Sequence, residues 1–279
     1  ISARGGYHGH TGFALATGDE QYRAPFGANL PGFVQIPFND IDALGIALDN
    51  KTAAVIFETI PATLGMPLPD PDYYKKVAEI CRRVGALLII DEVQTGLGRT
   101  GKLWGIQKYD TVPDIIVIGK GLSGGIYPMS ATCFRRQYMD FFRQNPFIHI
   151  STFGGAEVGC PVAAAVLEES SKPEFLRNVN NLATIFAEAF TELKKKHPRI
   201  LVGLRQLGLM MGIEMVNENC GPLLTKSCYD HGILAIYANN DKRVCQLLPP
   251  LIIDRQVAGE IIFGVDAALK DTADFLGLK

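Results

Sequence analysis

Three short aliphatic runs each end in a side chain that can do chemistry. Residues 53–57, AAVIF, deliver Glu58; residues 87–90, LLII, deliver Asp91; residues 114–119, DIIVIG, deliver Lys120. In open α/β sheets ligands bind outside the carboxyl ends of the strands, so two carboxylates and one amine at such ends can share one crevice. Each residue also has a plain reading: a solvated loop acid for Glu58, a turn cap for Asp91, a surface lysine for Lys120. Lys120 lies between a buried-type strand and the glycine-rich GLSGG, a position that disfavours plain exposure.

The chemistry that suits this set is Schiff-base chemistry. A partly desolvated lysine is neutral at working pH and attacks a carbonyl. A carboxylate beside the ring nitrogen of a pyridoxal cofactor keeps that nitrogen protonated, so that the ring draws electrons from a carbanion at the substrate Cα. Lys120 and Asp91 match these roles by type and place.

A rival signal sits nearby. Residues 96–101, GLGRTG, fit the G-x-G-x-x-G pattern of dinucleotide-binding turns. Such a turn follows its strand directly and opens a helix. Here Glu92, Val93, Gln94 and Thr95 intervene, no convincing helix follows, and the next strand ends in Gly119-Lys120 where a ribose-binding acid belongs. The pattern therefore reads as a turn leaving the site. His8 and His10 form an H-x-H, but no further residues of metal-site spacing accompany them, so no metal is expected.

The elements that must hold these residues alternate. Runs at 33–38, 53–57, 86–91 and 114–119 read as strands, nearly continuous in apolar character as parallel strands covered on both faces are. Residues 69–85 read as a helix with Asp70 as N-cap, Pro71 at the first position and Gly85 as stop. This βαβ order predicts an α/β domain with a mainly parallel sheet. Beyond residue 155 the texture changes: helices over 157–169 and 173–196, a strand pair at 200–207 and 209–215, a helix near 221–231, strands at 232–238 and 245–248, and a last helix near 254–276. The expected division is a large domain over 1–170 and a smaller α+β domain over 171–279.

The totals are those of an ordinary soluble globular protein. The 279 residues are 47% hydrophobic and 20% charged with formal charge −2, which gives no basic surface for nucleic acid and no membrane span. Six scattered cysteines without a C-x-x-C read mostly as buried free thiols in a reducing compartment, the cytoplasm.

LLIIDEVQTGLGRTGKLWG, followed by PDIIVIGKGLSGGIYPMSA with its lysine twenty-nine positions after the Asp, resembles the signature of class III pyridoxal-phosphate-dependent aminotransferases. GGYHGHT (5–11), HISTFGG (149–155) and LLPPLII (247–253) resemble further segments of that family, in family order. The resemblance implies the aspartate-aminotransferase-like type I fold and an obligate homodimer with sites at the interface. It implies pyridoxal 5′-phosphate as cofactor, and an amino donor and an oxo-acid acceptor as small-molecule partners. By it, Lys120 forms the internal aldimine and shuttles the proton, and Asp91 pairs with the pyridinium. Val93 packs on one ring face and Tyr7 on the other, with His8 close by. Gln94 meets the phenolic oxygen, Glu58 supports the site, and Thr152 binds the phosphate of the partner's cofactor. Racemisation or decarboxylation on the same scaffold, and a catalytically silent homologue, remain alternatives.

The chain departs from the family at two linked positions. Thr63 and Gln246 stand where many members carry a Glu and an Arg that together admit either an α-carboxylate or an ω-amine. Losing one partner would strand a buried charge, whereas losing both is consistent. The expectation is that glutamate or 2-oxoglutarate is not held in the usual way. Gln246→Ala should then change turnover with at least one donor or acceptor, and unchanged turnover with all of them would refute the idea. The family's phosphate loop also lies outside these 279 residues. The resemblance therefore implies that an N-terminal portion is lacking and that residues 1–279 alone bind the cofactor poorly.

Overall fold

The computed structural model describes residues 1–27 and 30–278. One sheet has six strands: β1 (Ser2–Ala3), β2 (Gln35–Ile36), β3 (Ala54–Glu58), β4 (Leu87–Asp91), β5 (Ile115–Ile118) and β6 (Ala131–Phe134). Their order is β2-β1-β3-β4-β5-β6. All neighbours are parallel except β5 and β6. The antiparallel β6 is an element the periodicity did not reveal, because ATCF is short and carries no run of aliphatic residues.

Burial explains the middle of this sheet. Val55, Phe57, Leu88 and Ile90 are each at most 2% exposed and meet the helix Tyr73–Val84 through Tyr73, Tyr74, Val77 and Cys81. That helix starts later than the sequence suggested. Its N-cap is Asp72, with Pro71 and Asp72 in a preceding turn, and Asp72 pairs with Lys76 one turn on (2.6 Å). Gly85 ends it in the left-handed region at φ +82°, as expected of a helix stop.

The second sheet has four strands: β7 (Leu201–Leu207), β8 (Met210–Met215), β9 (Ile236–Tyr237) and β10 (Val244–Leu247), in the antiparallel order β7-β8-β10-β9. The strand expected over 232–238 shrinks to Ile236–Tyr237, since Gly232 adopts φ +77° and turns the chain. The helix Pro173–Lys196 packs on this sheet through Val179, Leu182, Phe186, Phe190 and Leu193. Their three- and four-residue spacing makes one apolar stripe. Met211, Ile213 and Met215 meet it from β8, and the helix Arg255–Leu276 adds Val265, Ala268 and Leu269.

The G-x-G-x-x-G segment is a turn in this fold. Leu97 and Gly98 both have positive φ, and a Cβ on Gly101 would stand 2.2 Å from the Asn180 side chain, so the turn presses directly on the helix Pro173–Lys196. Among the described residues no helix is long and apolar enough to cross a membrane. Of the six free cysteines, Cys133 and Cys160 are exposed rather than buried, lying on the edge strand and a partly covered helix.

Candidate active site

Parallel register brings the three strand ends side by side. Glu58 is paired with Asp91 across β3 and β4, and Asp91 with Val117 across β4 and β5. Strands about 4.8 Å apart therefore present Glu58, Asp91 and the β5 end that leads to Lys120 along one edge. A cavity of about 250 Å³ opens there, lined by Tyr7, His8, Glu58, Asp91, Val93, Gln94 and Lys120 among others. Of the residues assigned to the cofactor from sequence, Thr152 lies elsewhere, exposed in the 151–155 turn segment.

Asp91 is held from two sides. Its Oδ2 is 2.8 Å from His8 Nδ1, and its Oδ1 accepts the Val93 N–H at 2.9 Å. The His8 side chain is 3% exposed, and its Nε2 has no partner among the described residues. The two histidines of the H-x-H diverge: His10 leaves Asp91 and packs on Tyr7 and Tyr22 with ring centroids 5.0 and 4.7 Å away.

Glu58 accepts the Tyr7 N–H at 2.9 Å and is buried. Burial pushes its carboxyl up to about 7, against the opposing pull of His8 and the Tyr7 N–H and with a small addition from Asp91. A carboxyl raised in the folded state stabilises most below its unfolded value and loses that contribution as pH rises through its folded value. The cofactor-free protein should therefore lose stability between pH 5 and pH 8, and Glu58→Gln should reduce that slope. Thermal melts across this range decide it; an unchanged slope in the variant would assign the titration to another group.

Lys120 corrects an expectation. Its side chain is exposed, and its Nζ donates to Gln94 Oε1 at 3.2 Å. The reason is local: Lys120 opens a short 3₁₀ turn with φ +43°, which lifts the side chain off the sheet and into the cavity mouth. A lysine in the left-handed region costs about 1–3 kcal/mol of strain and is the kind of outlier found at functional sites.

Two residues were missed. Arg99 has a mostly buried guanidinium whose group is lowered to about 10 by that burial and still charged at neutral pH. Its Nη1 donates to the Pro249 carbonyl at 2.6 Å and the Leu209 carbonyl at 3.2 Å, tying the turn after β4 to the second sheet. It lines a second cavity of about 480 Å³ with Lys120, Leu248 and Leu251. Glu92, beside Asp91, is 1% exposed. The visible signal was an acid closing a buried strand, read only as an interruption of the glycine pattern.

The departing positions lie off these cavities. Thr63 Oγ1 donates to the Gly5 carbonyl at 2.8 Å, and Gln246 sits within β10 opposite Gly212. Neither is among the residues lining the two cavities just described.

Parallel strands that end in a carboxylate and a lysine, joined to a smaller antiparallel sheet, define the α/β fold type I of pyridoxal-phosphate enzymes. Residues 1–269 match the aminotransferase class-III family, and the chain belongs to it. An uncharacterised aminotransferase of Archaeoglobus fulgidus is 60% identical over 91% of this chain and 59% of its own length. Acetylornithine aminotransferase of Caldanaerobacter subterraneus is 38% identical over 97% of this chain and 67% of its own. The crystal structure of ornithine aminotransferase from Toxoplasma gondii superimposes with a TM-score of 0.90 at 30% identity, covering 99% of this chain and 65% of that one. A second structure of that enzyme holds pyridoxal phosphate at partial occupancy in its active site. The chain thus spans about 59–67% of these relatives.

Proposed function

We infer that the protein is a pyridoxal-phosphate-dependent aminotransferase, moving an amino group between an amine or amino acid and an oxo acid. The observation that carries this reading is the meeting of Asp91, fixed by His8 and a backbone N–H, with Lys120 across one cavity. These residues fit the cofactor by their chemistry: an anion for a ring nitrogen, an amine for an aldehyde, and an apolar Val93 wall facing an aromatic Tyr7. When bound, the cofactor supplies an electron sink for negative charge at the substrate Cα. Asp91 holds a proton on the ring nitrogen, and His8 keeps that carboxylate oriented. Lys120 takes the proton from Cα at Nζ, and the Gln94 carbonyl aims that amine. Glu58 fixes the Tyr7 backbone, and Tyr7 and Val93 bound the ring.

Residues 1–170 carry these groups and 171–279 form a smaller domain. A homodimer fits the exposed apolar side chains of Phe147, Ile148, Ile150 and Phe153, which surround Thr152 and suit a subunit interface. Thr152 then serves the partner's cofactor phosphate. A cytoplasmic location accords with the free cysteines.

Ornithine and acetylornithine, the substrates that name the relatives, are the first donors to try. The test loads the complete protein with cofactor and adds donors without acceptor. One equivalent of carbonyl product per site supports amino transfer. Loss of optical activity without product would mark a racemase, and no reaction with any donor a silent homologue.

A further inference from the structure

The strongest unassigned feature is the carboxylate directly after Asp91. Glu92 Oε1 accepts the Thr59 hydroxyl at 2.9 Å and the Ile106 N–H at 2.7 Å. Its Oε2 accepts the Thr95 hydroxyl at 2.6 Å and the Gly105 N–H at 2.9 Å. Four donors match the lone pairs of the two carboxylate oxygens, and they oppose the burial that pushes this carboxyl above the usual range. Nothing on the solvent side competes, since Thr59, Glu92 and Thr95 are each at most 1% exposed.

What the bonds join matters more than their number. Thr59 follows Glu58 at the end of β3, and its N–H donates to the Asp91 carbonyl at 3.4 Å. The Glu92 N–H donates to the Val117 carbonyl of β5 at 2.8 Å, and its own carbonyl accepts the Gly96 N–H at 3.0 Å. One residue therefore fastens the ends of all three strands that present Glu58, Asp91 and Lys120. It also closes the turn that carries Val93 and Gln94. Gly105 is tightly enclosed at this point, where an added Cβ would stand 3.1 Å from Thr95 and 3.2 Å from Glu92 Oε2.

We propose that Glu92 is a positioning residue for the cofactor site, setting Asp91 against the ring nitrogen through four side-chain bonds that tie the end of β4 to Thr59 after β3, to Thr95 in the following turn and to the backbone of Gly105 and Ile106. The proposal rests on the reading of Asp91 given above. A simple stabilising role and a positioning role differ in one observable. Loss of general stability weakens every cofactor analogue alike, whereas displacement of Asp91 weakens only what depends on the ring nitrogen.

Glu92→Gln is the variant of choice. Its amide can accept on one side only, so a donor faces the backbone N–H of either Gly105 or Ile106. In the complete protein, the dissociation constants of pyridoxal phosphate and of its analogue with carbon in place of the ring nitrogen are compared. The unaltered protein should prefer the nitrogen-bearing form, and Glu92→Gln should shrink that preference about tenfold. Equal weakening of both ligands, with the ratio kept, overturns the proposal and leaves the reading of Asp91 standing. No preference in the unaltered protein overturns both. If Glu92→Gln does not fold, Thr59→Val with Thr95→Val removes one hydroxyl donor from each oxygen and keeps the carboxylate. The ratio should fall there too, and an unchanged ratio again overturns the proposal.

Discussion

Lys120→Ala keeps its fold and loses about four orders of magnitude in amino transfer, the upper range for a lost proton-transfer group. The structure makes these two outcomes separable. The Lys120 side chain is exposed, and its one polar contact among the described residues is Gln94. Exposed substitutions away from packing change stability within about 0.5 kcal/mol, so the melting temperature should hold. Function carried by an exposed residue is therefore read without the confusion of unfolding. Added methylamine or ethylamine should restore part of the rate, because a free amine can fill the space and carry the proton. Borohydride should fix the cofactor to the unaltered protein at Lys120 and to the variant nowhere. A variant that still transfers amino groups at near the original rate would remove Lys120 from the chemistry.

Asp91→Asn should be the second most damaging change. The residue is 7% exposed, and its carboxylate faces both His8 and the cavity. Losing the carboxylate that would keep the ring nitrogen protonated should cost roughly two to four orders of magnitude in rate, the range for a positioned proton-handling group. The amide keeps the shape and can still accept the Val93 N–H, so loss of packing does not account for the effect. Single-turnover rates with saturating cofactor isolate the step. A loss that disappears when cofactor is raised would show that Asp91 serves binding alone.

The parts of the fold that could be read from sequence are those with strong local patterns. AVIFE and LLIID are continuous aliphatic runs closed by acids, and they became β3 and β4 with Glu58 opposite Asp91. The helix Pro173–Lys196 follows its apolar stripe from a proline start. Local patterns failed where the deciding contact is remote. His8 and Asp91 are 83 positions apart, and no spacing rule joins an H-x-H to a strand end. Arg99 reaches the Pro249 carbonyl, 150 positions on, and a backbone acceptor leaves no mark on residue identity. The exposure of Lys120 depends on one positive φ at a non-glycine residue, which composition does not announce. Glu92 was visible as a letter, but its role needs Thr59 from one neighbour and Ile106 from the loop beyond.

The Arg99 guanidinium grips the flank of the second sheet through main-chain oxygens, at Leu209 and Pro249, and the Arg99 carbonyl accepts the Leu209 N–H at 2.9 Å. Such a fastening does not read the side chains it holds. Leu209 is itself fixed by burial in the second core, whereas Leu248 and Leu251 are only partly covered and line the cavity beside Lys120. For anyone reshaping which molecules this cavity accepts, Leu248 and Leu251 are the positions to randomise, and Arg99 is the one to leave untouched.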